Sequence, residues 1–203
     1  MCGTASVWAK LALGCMVLGM TLHIAGWASM YWMVYETSGS VLQTFIGLWR
    51  QKTCQNNVCT EDAVDKYVTA DFNAVRAMET ITFCVAAFTA ILMTIYVFAP
   101  SARRQSVAIV LMILCFIAGA TSICGMIIWL VTLPSPFIVS FSMGLTVLGF
   151  LLILIAGTLL IPDVFEPMDS YNRSGLITPY TPPDRRTVVT PLSYKGGGAV
   201  NRW

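Results

Sequence analysis

Four long apolar stretches constrain the fold of this chain more than any other feature of its sequence. They cover residues 11–31, 81–99, 107–133 and 137–161. A helix needs about 20 apolar residues to cross a hydrocarbon core of about 30 Å, so each stretch is long enough to span a bilayer. The first stretch follows a single charged residue, Lys10, and is longer than the apolar core of a signal peptide. We therefore interpret it as a retained helix and predict four transmembrane helices.

The composition also indicates an integral membrane protein. Hydrophobic residues make up 57% of the 203 residues and charged residues only 11%, whereas a soluble domain has about 25% charged residues. This balance excludes a soluble enzyme, a disordered chain and a nucleic-acid binder. We expect membrane lipid around the chain and no nucleic acid among its partners.

The distribution of basic residues predicts the orientation in the membrane. Lys and Arg concentrate in cytoplasmic segments, and eight of the 12 fall near the chain ends or between the second and third helices. These eight are Lys10, Arg103, Arg104, Arg173, Arg185, Arg186, Lys195 and Arg202. We therefore predict that both termini are cytoplasmic and that segment 32–76 lies outside the cell. Residues 162–203, rich in proline and glycine, are predicted to form a disordered cytoplasmic tail.

Segment 32–76 has the pattern of a small antiparallel sheet. Residues 31–35 and 41–49 are rich in aromatic and β-branched side chains and are separated by a turn-prone stretch. The predicted fold is thus a left-handed-type bundle of four transmembrane helices (residues 1–161) that carries a small extracellular antiparallel β-sheet. The second outside loop, at 133–137, is expected to be little more than a turn.

Cys54 and Cys59 form the only cysteine pair in the predicted outside segment, which faces an oxidising compartment. They flank a turn-prone stretch, and a hairpin with one cysteine on each arm would bring them within bridging distance. We predict a disulfide, with two free thiols or a metal-binding pair as the alternatives. Cys2, at the cytoplasmic end of the first helix, is either palmitoylated or an unmodified thiol.

Together these residues resemble the signature of the claudin superfamily. Trp32, the run Gly47-Leu48-Trp49, Cys54, Cys59 and then Arg76 before the second helix follow the family order. The superfamily includes claudins, epithelial membrane and peripheral myelin proteins, and gamma-type accessory subunits of calcium channels and glutamate receptors. The two cysteines are closer together than is usual in claudins, and the second loop is shorter. The chain therefore resembles a divergent member.

The resemblance implies roles for several residues. Arg76 would pin the sheet to the helices through carbonyl groups or the region of Trp32 and Trp49, and the alternative is an interfacial arginine that snorkels. Acidic residues beyond the second cysteine would line a cation-selective path between cells. Here they are Glu61, Asp62 and Asp65, which otherwise form a solvated acidic face.

Two further polar residues lie close to or within the predicted spans. His23, the only histidine, is expected to bond a neighbouring helix. Glu79 is expected to pair with Arg76, three residues earlier on the same helix. No catalytic constellation is visible, so we expect no enzyme activity, no cofactor and no metal site.

By resemblance, we expect a structural protein of cell–cell junctions in the plasma membrane. It would assemble side by side, as a homo-oligomer or with related tetraspans, into a tight-junction barrier or charge-selective path that contributes to cell adhesion. The alternative is an accessory subunit that modulates an ion channel or receptor.

Overall fold

The computed structural model describes residues 5–36, 42–56, 58–64 and 68–165. Four long helices dominate it: α1 (Val7–Ala28), α2 (Ala70–Phe98), α3 (Gln105–Thr132) and α4 (Phe141–Leu159), followed by the short helix α5 (Ile161–Phe165). Each of the four crossings is long and apolar enough to span a membrane. The protein is therefore a multi-pass membrane protein, as predicted.

Side-chain caps explain where two of these helices begin. The Ser6 hydroxyl accepts a hydrogen bond from the Ala9 amide at 2.9 Å, and Thr69 accepts one from the Phe72 amide at 3.2 Å. Such caps satisfy amides that have no partner within the helix. Helix α2 therefore begins well before the predicted start at residue 81, and its first turns lie in the segment assigned to the sheet. An apolar window misses these turns because they carry polar side chains.

The helices pack as a ring. Helix α1 contacts α2 and α4, and α3 contacts the same two helices. Helices α1 and α4 pack closely at two glycines, because a Cβ at either Gly19 or Gly149 would lie 2.8 Å from the carbonyl oxygen of the other. Small residues at such crossings allow the backbones of membrane helices to approach each other.

A five-stranded antiparallel sheet covers one end of the bundle. Its strands are β1 (Met33–Glu36), β2 (Leu42–Ile46), β3 (Arg50–Gln55), β4 (Val58–Ala63) and β5 (Ile138–Val139), in the spatial order β4-β3-β2-β1-β5. The predicted architecture of four helices and a small sheet is confirmed. A four-residue to six-residue strand is typical of small sheets, and here the helix ends supply the apolar layer beneath.

The second connection is more than the predicted turn. Residues 138–139 form β5 and pair with β1, so that Val139 lies opposite Met33. Helix α4 begins at Phe141, whereas the sequence analysis places its start at residue 137. A short apolar strand that runs directly into an apolar helix has no hydropathy boundary, so a window average merges the two.

The opposite end of the bundle brings the two ends of the described chain together. Helix α5 occupies residues that the sequence analysis assigns to the disordered tail, and its Asp163 is only 8% exposed. The Asp163 carboxylate accepts hydrogen bonds from the Ser6 hydroxyl at 2.6 Å and the Tyr96 hydroxyl at 3.1 Å. The predicted tail is thus ordered through residue 165. Residues 166–203 and Cys2 lie outside the described residues.

Candidate functional site

The signature residues meet where the sheet rests on the helix ends, a region that we call the sheet–helix junction (Trp32, Gly47, Leu48, Trp49 and Arg76). Trp32 is fully buried, and its indole Nε1 donates to the carbonyl oxygen of Gly26 at 2.7 Å. Gly26 belongs to the last turn of α1, whose carbonyls need partners from outside the helix. This hydrogen bond therefore joins the residue before β1 to the end of α1.

The run Gly47-Leu48-Trp49 is a tight turn between β2 and β3. The Gly47 amide donates to the Arg50 carbonyl at 2.9 Å. A Cβ on Gly47 would clash with the carbonyl oxygen of Ser29, just beyond α1, so only glycine allows the turn to pack this closely. Leu48 is fully buried beneath the turn, while Trp49 is 40% exposed.

Arg76 connects this turn to α2. Its Nε donates to the Leu48 carbonyl oxygen at 2.6 Å. Its guanidinium carbon lies 5.3 Å from the ring centroid of Trp49 and 4.6 Å from that of Phe72, distances at which a cation is attracted to an aromatic face. Arg76 thus contacts both the turn and a ring of its own helix, and its role in pinning the sheet stays a prediction.

The predicted disulfide is present between Cys54 and Cys59, with the two Cα atoms 4.0 Å apart. The cysteines are register partners of β3 and β4. Between these strands the chain turns through Asn56, which has a positive φ of 51°, a conformation that asparagine tolerates better than most residues. The bond therefore staples a tight hairpin at the edge of the sheet.

The structure separates the predicted acidic cluster. Glu61 and Asp62 are neighbours on the edge strand β4, where every side chain is exposed, and successive residues of a strand point to opposite faces. Glu61 lies opposite Lys52 on β3, whereas Asp62 lies opposite the neutral Gln51. Asp65 lies outside the described residues. The two described carboxylates therefore do not share one face of the sheet.

Inside the bundle is a polar cluster that the sequence analysis did not assemble. His23 of α1 and Glu79 of α2 are both fully buried, with Nδ1 3.8 Å from Oε2. Ser122 of α3 donates to the Glu79 carboxylate at 3.2 Å. A Cβ on Gly125 would lie 2.7 Å from Glu79 Oε1, so the glycine leaves room for the carboxylate.

This His23–Glu79–Ser122 cluster connects three helices. Helices α3 and α4 contain no Asp, Glu, Lys, Arg or His. A buried charge without compensation is costly, so His23 and Glu79 are best accommodated as a pair with no net charge. The sequence analysis expects His23 to bond a neighbouring helix. The structure places it beside Glu79 of α2, but neither ring nitrogen makes a hydrogen bond within the described residues. Glu79, expected beside Arg76, instead lies against His23 and Ser122. The sequence did contain a signal for this cluster, because it places two ionisable residues, His23 and Glu79, among apolar ones.

A comparison with models of known protein families and with curated proteins found no match for this chain.

Proposed function

We propose that the chain is a claudin-like structural protein of cell–cell junctions, which assembles side by side in the plasma membrane into a paracellular barrier or a charge-selective path. The sheet–helix junction is the observation that carries this proposal. Each residue of the signature has a defined contact there: Trp32 with α1, the Gly47-Leu48-Trp49 turn with Ser29, and Arg76 with Leu48. These contacts hold the sheet as a rigid platform at the end of the bundle.

In the part of the chain that the structure describes, the edge formed by β4 suits lateral assembly. Strand β4 is the last strand on one side and is exposed along its full length. An edge strand presents unpaired backbone groups that can pair with another chain. The disulfide keeps this edge short and fixed, so neighbouring molecules would meet a surface of constant shape.

Within this proposal, Asp62 is the stronger candidate for a selectivity residue. Lys52, the register partner of Glu61, offsets the Glu61 charge, while Gln51 leaves the charge of Asp62 without an opposing partner in the strand pair. A row of Asp62 side chains from successive molecules would attract cations. The Glu61 side of the sheet would be nearly neutral.

The alternative function is that of an accessory subunit of an ion channel or receptor. One observation favours it: strand β5 uses Ile138 and Val139 to extend the sheet, and residues 133–140 leave no long loop to reach a facing cell. A platform without that loop could grip a larger membrane protein from the side.

The two functions are separated by expression in an epithelial monolayer that lacks its own junction strands. The junction proposal expects continuous staining at cell borders, strands in freeze-fracture and a changed transepithelial resistance. Isolated particles without strands, together with stoichiometric co-purification of a channel polypeptide, would favour the accessory role.

Charge selectivity is tested in the same monolayer by measuring dilution potentials. We expect Asp62→Asn to lower the sodium-to-chloride permeability ratio, and Glu61→Gln, the matched control on the same strand, to change it less. Neutralising Asp65 as well tests the remaining member of the predicted cluster. If the sodium-to-chloride permeability ratio is unchanged in all three variants while the protein reaches cell borders at its normal density, the charge-selective path is refuted and only the barrier function remains. The effect should weaken as salt increases, because the screening length is about 8 Å at physiological ionic strength.

A further inference from the structure

A cavity of about 180 Å³ lies between the sheet and the ends of two membrane helices. Met33 of β1 and the rings of Phe72 and Trp129 contribute apolar lining. Thr69, the N-cap of α2, and Thr132, the last residue of α3, add hydroxyl groups. The cavity is thus mostly apolar with a few polar groups, the usual character of a small-ligand site.

One of its lining residues carries a hydrogen-bond donor without a partner. Trp129 is only 3% exposed, and within the described part of the chain its Nε1–H donates to nothing. Trp32, the ring packed edge-on against it at 5.2 Å, does have an acceptor in Gly26. A buried donor left unpaired is unfavourable, so a ligand that brings an acceptor would be stabilised at this position.

Thr69 offers a second donor, in this case on an exposed residue. Its hydroxyl oxygen accepts the Phe72 amide, so its own hydrogen is available to another acceptor. The amides of the first turn of α2 add the positive end of the helix dipole. The Thr132 hydroxyl is already used in a bond to the Ile128 carbonyl at 2.8 Å. The polar groups at the cavity therefore call for an acceptor oxygen on the ligand.

The size of the cavity limits the apolar part of that ligand. An apolar protein cavity of about 150 Å³ holds one benzene molecule, so this cavity holds a short stretch of hydrocarbon. The four fused rings of a sterol are too large for it. A segment of a single acyl chain fits.

The position along the helices identifies where such a ligand comes from. The cavity lies at the first turn of α2 and beside the last turn of α3, where the apolar run of residues 107–133 ends. The side chain next to Thr132, Val131, is 79% exposed, and Leu130 is 52% exposed, as expected for a surface that faces lipid. At this depth the bilayer contains the ester groups of its glycerolipids, each with an acceptor carbonyl next to an acyl chain.

We propose that this cavity binds the ester-linked end of one acyl chain of a membrane glycerolipid. The ester carbonyl accepts hydrogen bonds from Trp129 Nε1–H and the Thr69 hydroxyl, and the first carbons of the chain lie among Met33 and Phe72. The bound lipid bridges β1 to the ends of α2 and α3. The sheet therefore packs partly against lipid. This proposal does not depend on whether the protein acts at a junction or with a channel.

The test uses the full-length protein in lipid nanodiscs that contain a phosphatidylcholine with a photoactivatable diazirine close to one acyl ester. After illumination, digestion and mass spectrometry locate the labelled residues. We expect label on the peptides that contain Thr69–Phe72 and Trp129–Pro134. Unlabelled diacyl phosphatidylcholine should compete about fivefold better than its dialkyl ether analogue, which lacks the carbonyl. One neutral hydrogen bond changes an affinity by about this factor. Equal competition by the two lipids would refute the hydrogen bond.

Two variants and one control make the assignment specific. Trp129→Phe keeps an aromatic ring but removes the donor, and we expect cavity labelling to fall several-fold. Thr132→Leu keeps Trp129 intact and fills the cavity, with the same expected loss. Trp27→Phe is the matched control, because the Nε1 of Trp27 is also buried and unpartnered among the described residues but does not line this cavity. Its labelling should match the wild type.

Two results would overturn the proposal. One is label spread evenly along the lipid-facing helix surfaces with no excess at the cavity. The other is wild-type labelling in both cavity variants. Each variant is first checked for the intact Cys54–Cys59 bond, so that a folding defect is not mistaken for lost binding.

Discussion

Replacement of Arg76 by methionine should destabilise the protein by about 3 kcal/mol. Methionine keeps an apolar stem of similar length but removes the hydrogen bond to the Leu48 carbonyl at 2.6 Å. A bond from a charged donor contributes about 1.5–3 kcal/mol, and each cation–π contact with Trp49 and Phe72 adds about 0.5–1 kcal/mol at a partly exposed site. Against a typical total stability of about 5–15 kcal/mol, this loss is large. Arg76→Lys should recover less than half of it, because an ammonium group cannot reproduce the position of the guanidinium Nε.

The assay is unfolding of the purified protein in mixed micelles with increasing SDS, followed by tryptophan fluorescence. Arg50→Met is the matched control, since Arg50 is an exposed arginine on the same sheet, and we expect it to change stability by less than about 0.5 kcal/mol. If Arg76→Met and Arg50→Met unfold at the same SDS fraction, the pinning role of Arg76 is wrong and its contacts are those of an interfacial side chain.

Four other predictions concern separate parts of the structure. Gly47→Ala should cost about 3 kcal/mol and reduce surface expression, because the added methyl meets backbone atoms rather than a flexible side chain; wild-type expression would contradict the close packing. Cys54→Ser should cost about 2 kcal/mol and expose one thiol to a membrane-impermeant maleimide on intact cells, whereas the wild type should not react there. Glu79→Ala should cost about 1–2 kcal/mol, near the upper end for polar contacts between membrane helices, while Glu79→Gln, which keeps a neutral partner for His23, should cost less than half as much in SDS unfolding. An epitope inserted at Asn56 should be stained on intact cells and terminal epitopes only after permeabilisation; the reverse pattern would invert the predicted orientation.

The features of the fold that follow from simple periodicities were predictable from the sequence. Four helices, the sheet and its disulfide follow from the lengths of the apolar runs and from the position of Cys54 and Cys59. The errors lie where one signal hides another. The polar first turns of α2 were assigned to the sheet segment because a hydropathy window detects only apolar residues. The helix in fact begins where the Thr69 side chain caps it. The sequence analysis merged β5 with α4 because apolar residues lie on both sides of Ser140, so the average hydropathy shows no boundary there.

The candidate site was less predictable than the fold. The contact of Arg76 with the turn after β2 came from the resemblance, since Leu48 and Arg76 are 28 residues apart and no local pattern connects them. The partner of Glu79 was mistaken for a different reason. A spacing of three residues on one helix suggested Arg76. Packing of α1 and α3 against α2 instead places His23 and Ser122 beside Glu79, where all three side chains are fully buried. Which residue pairs with Glu79 depends on how the helices pack, and the spacing of residues along one helix does not reveal that.

The contact between Ser6 and Asp163 closes the bundle into a loop. The covalent chain runs once around the ring of helices, and this 2.6 Å hydrogen bond joins its last turn to its first. The order of the helices is therefore nearly cyclic, and the position at which the chain begins is of little structural importance. A circular permutant that links residue 165 to residue 5 through a short flexible segment, with new ends in the turn after Phe98, would keep every helix pair of the ring. Its new ends would lie at the same end of the bundle as residues 5 and 165.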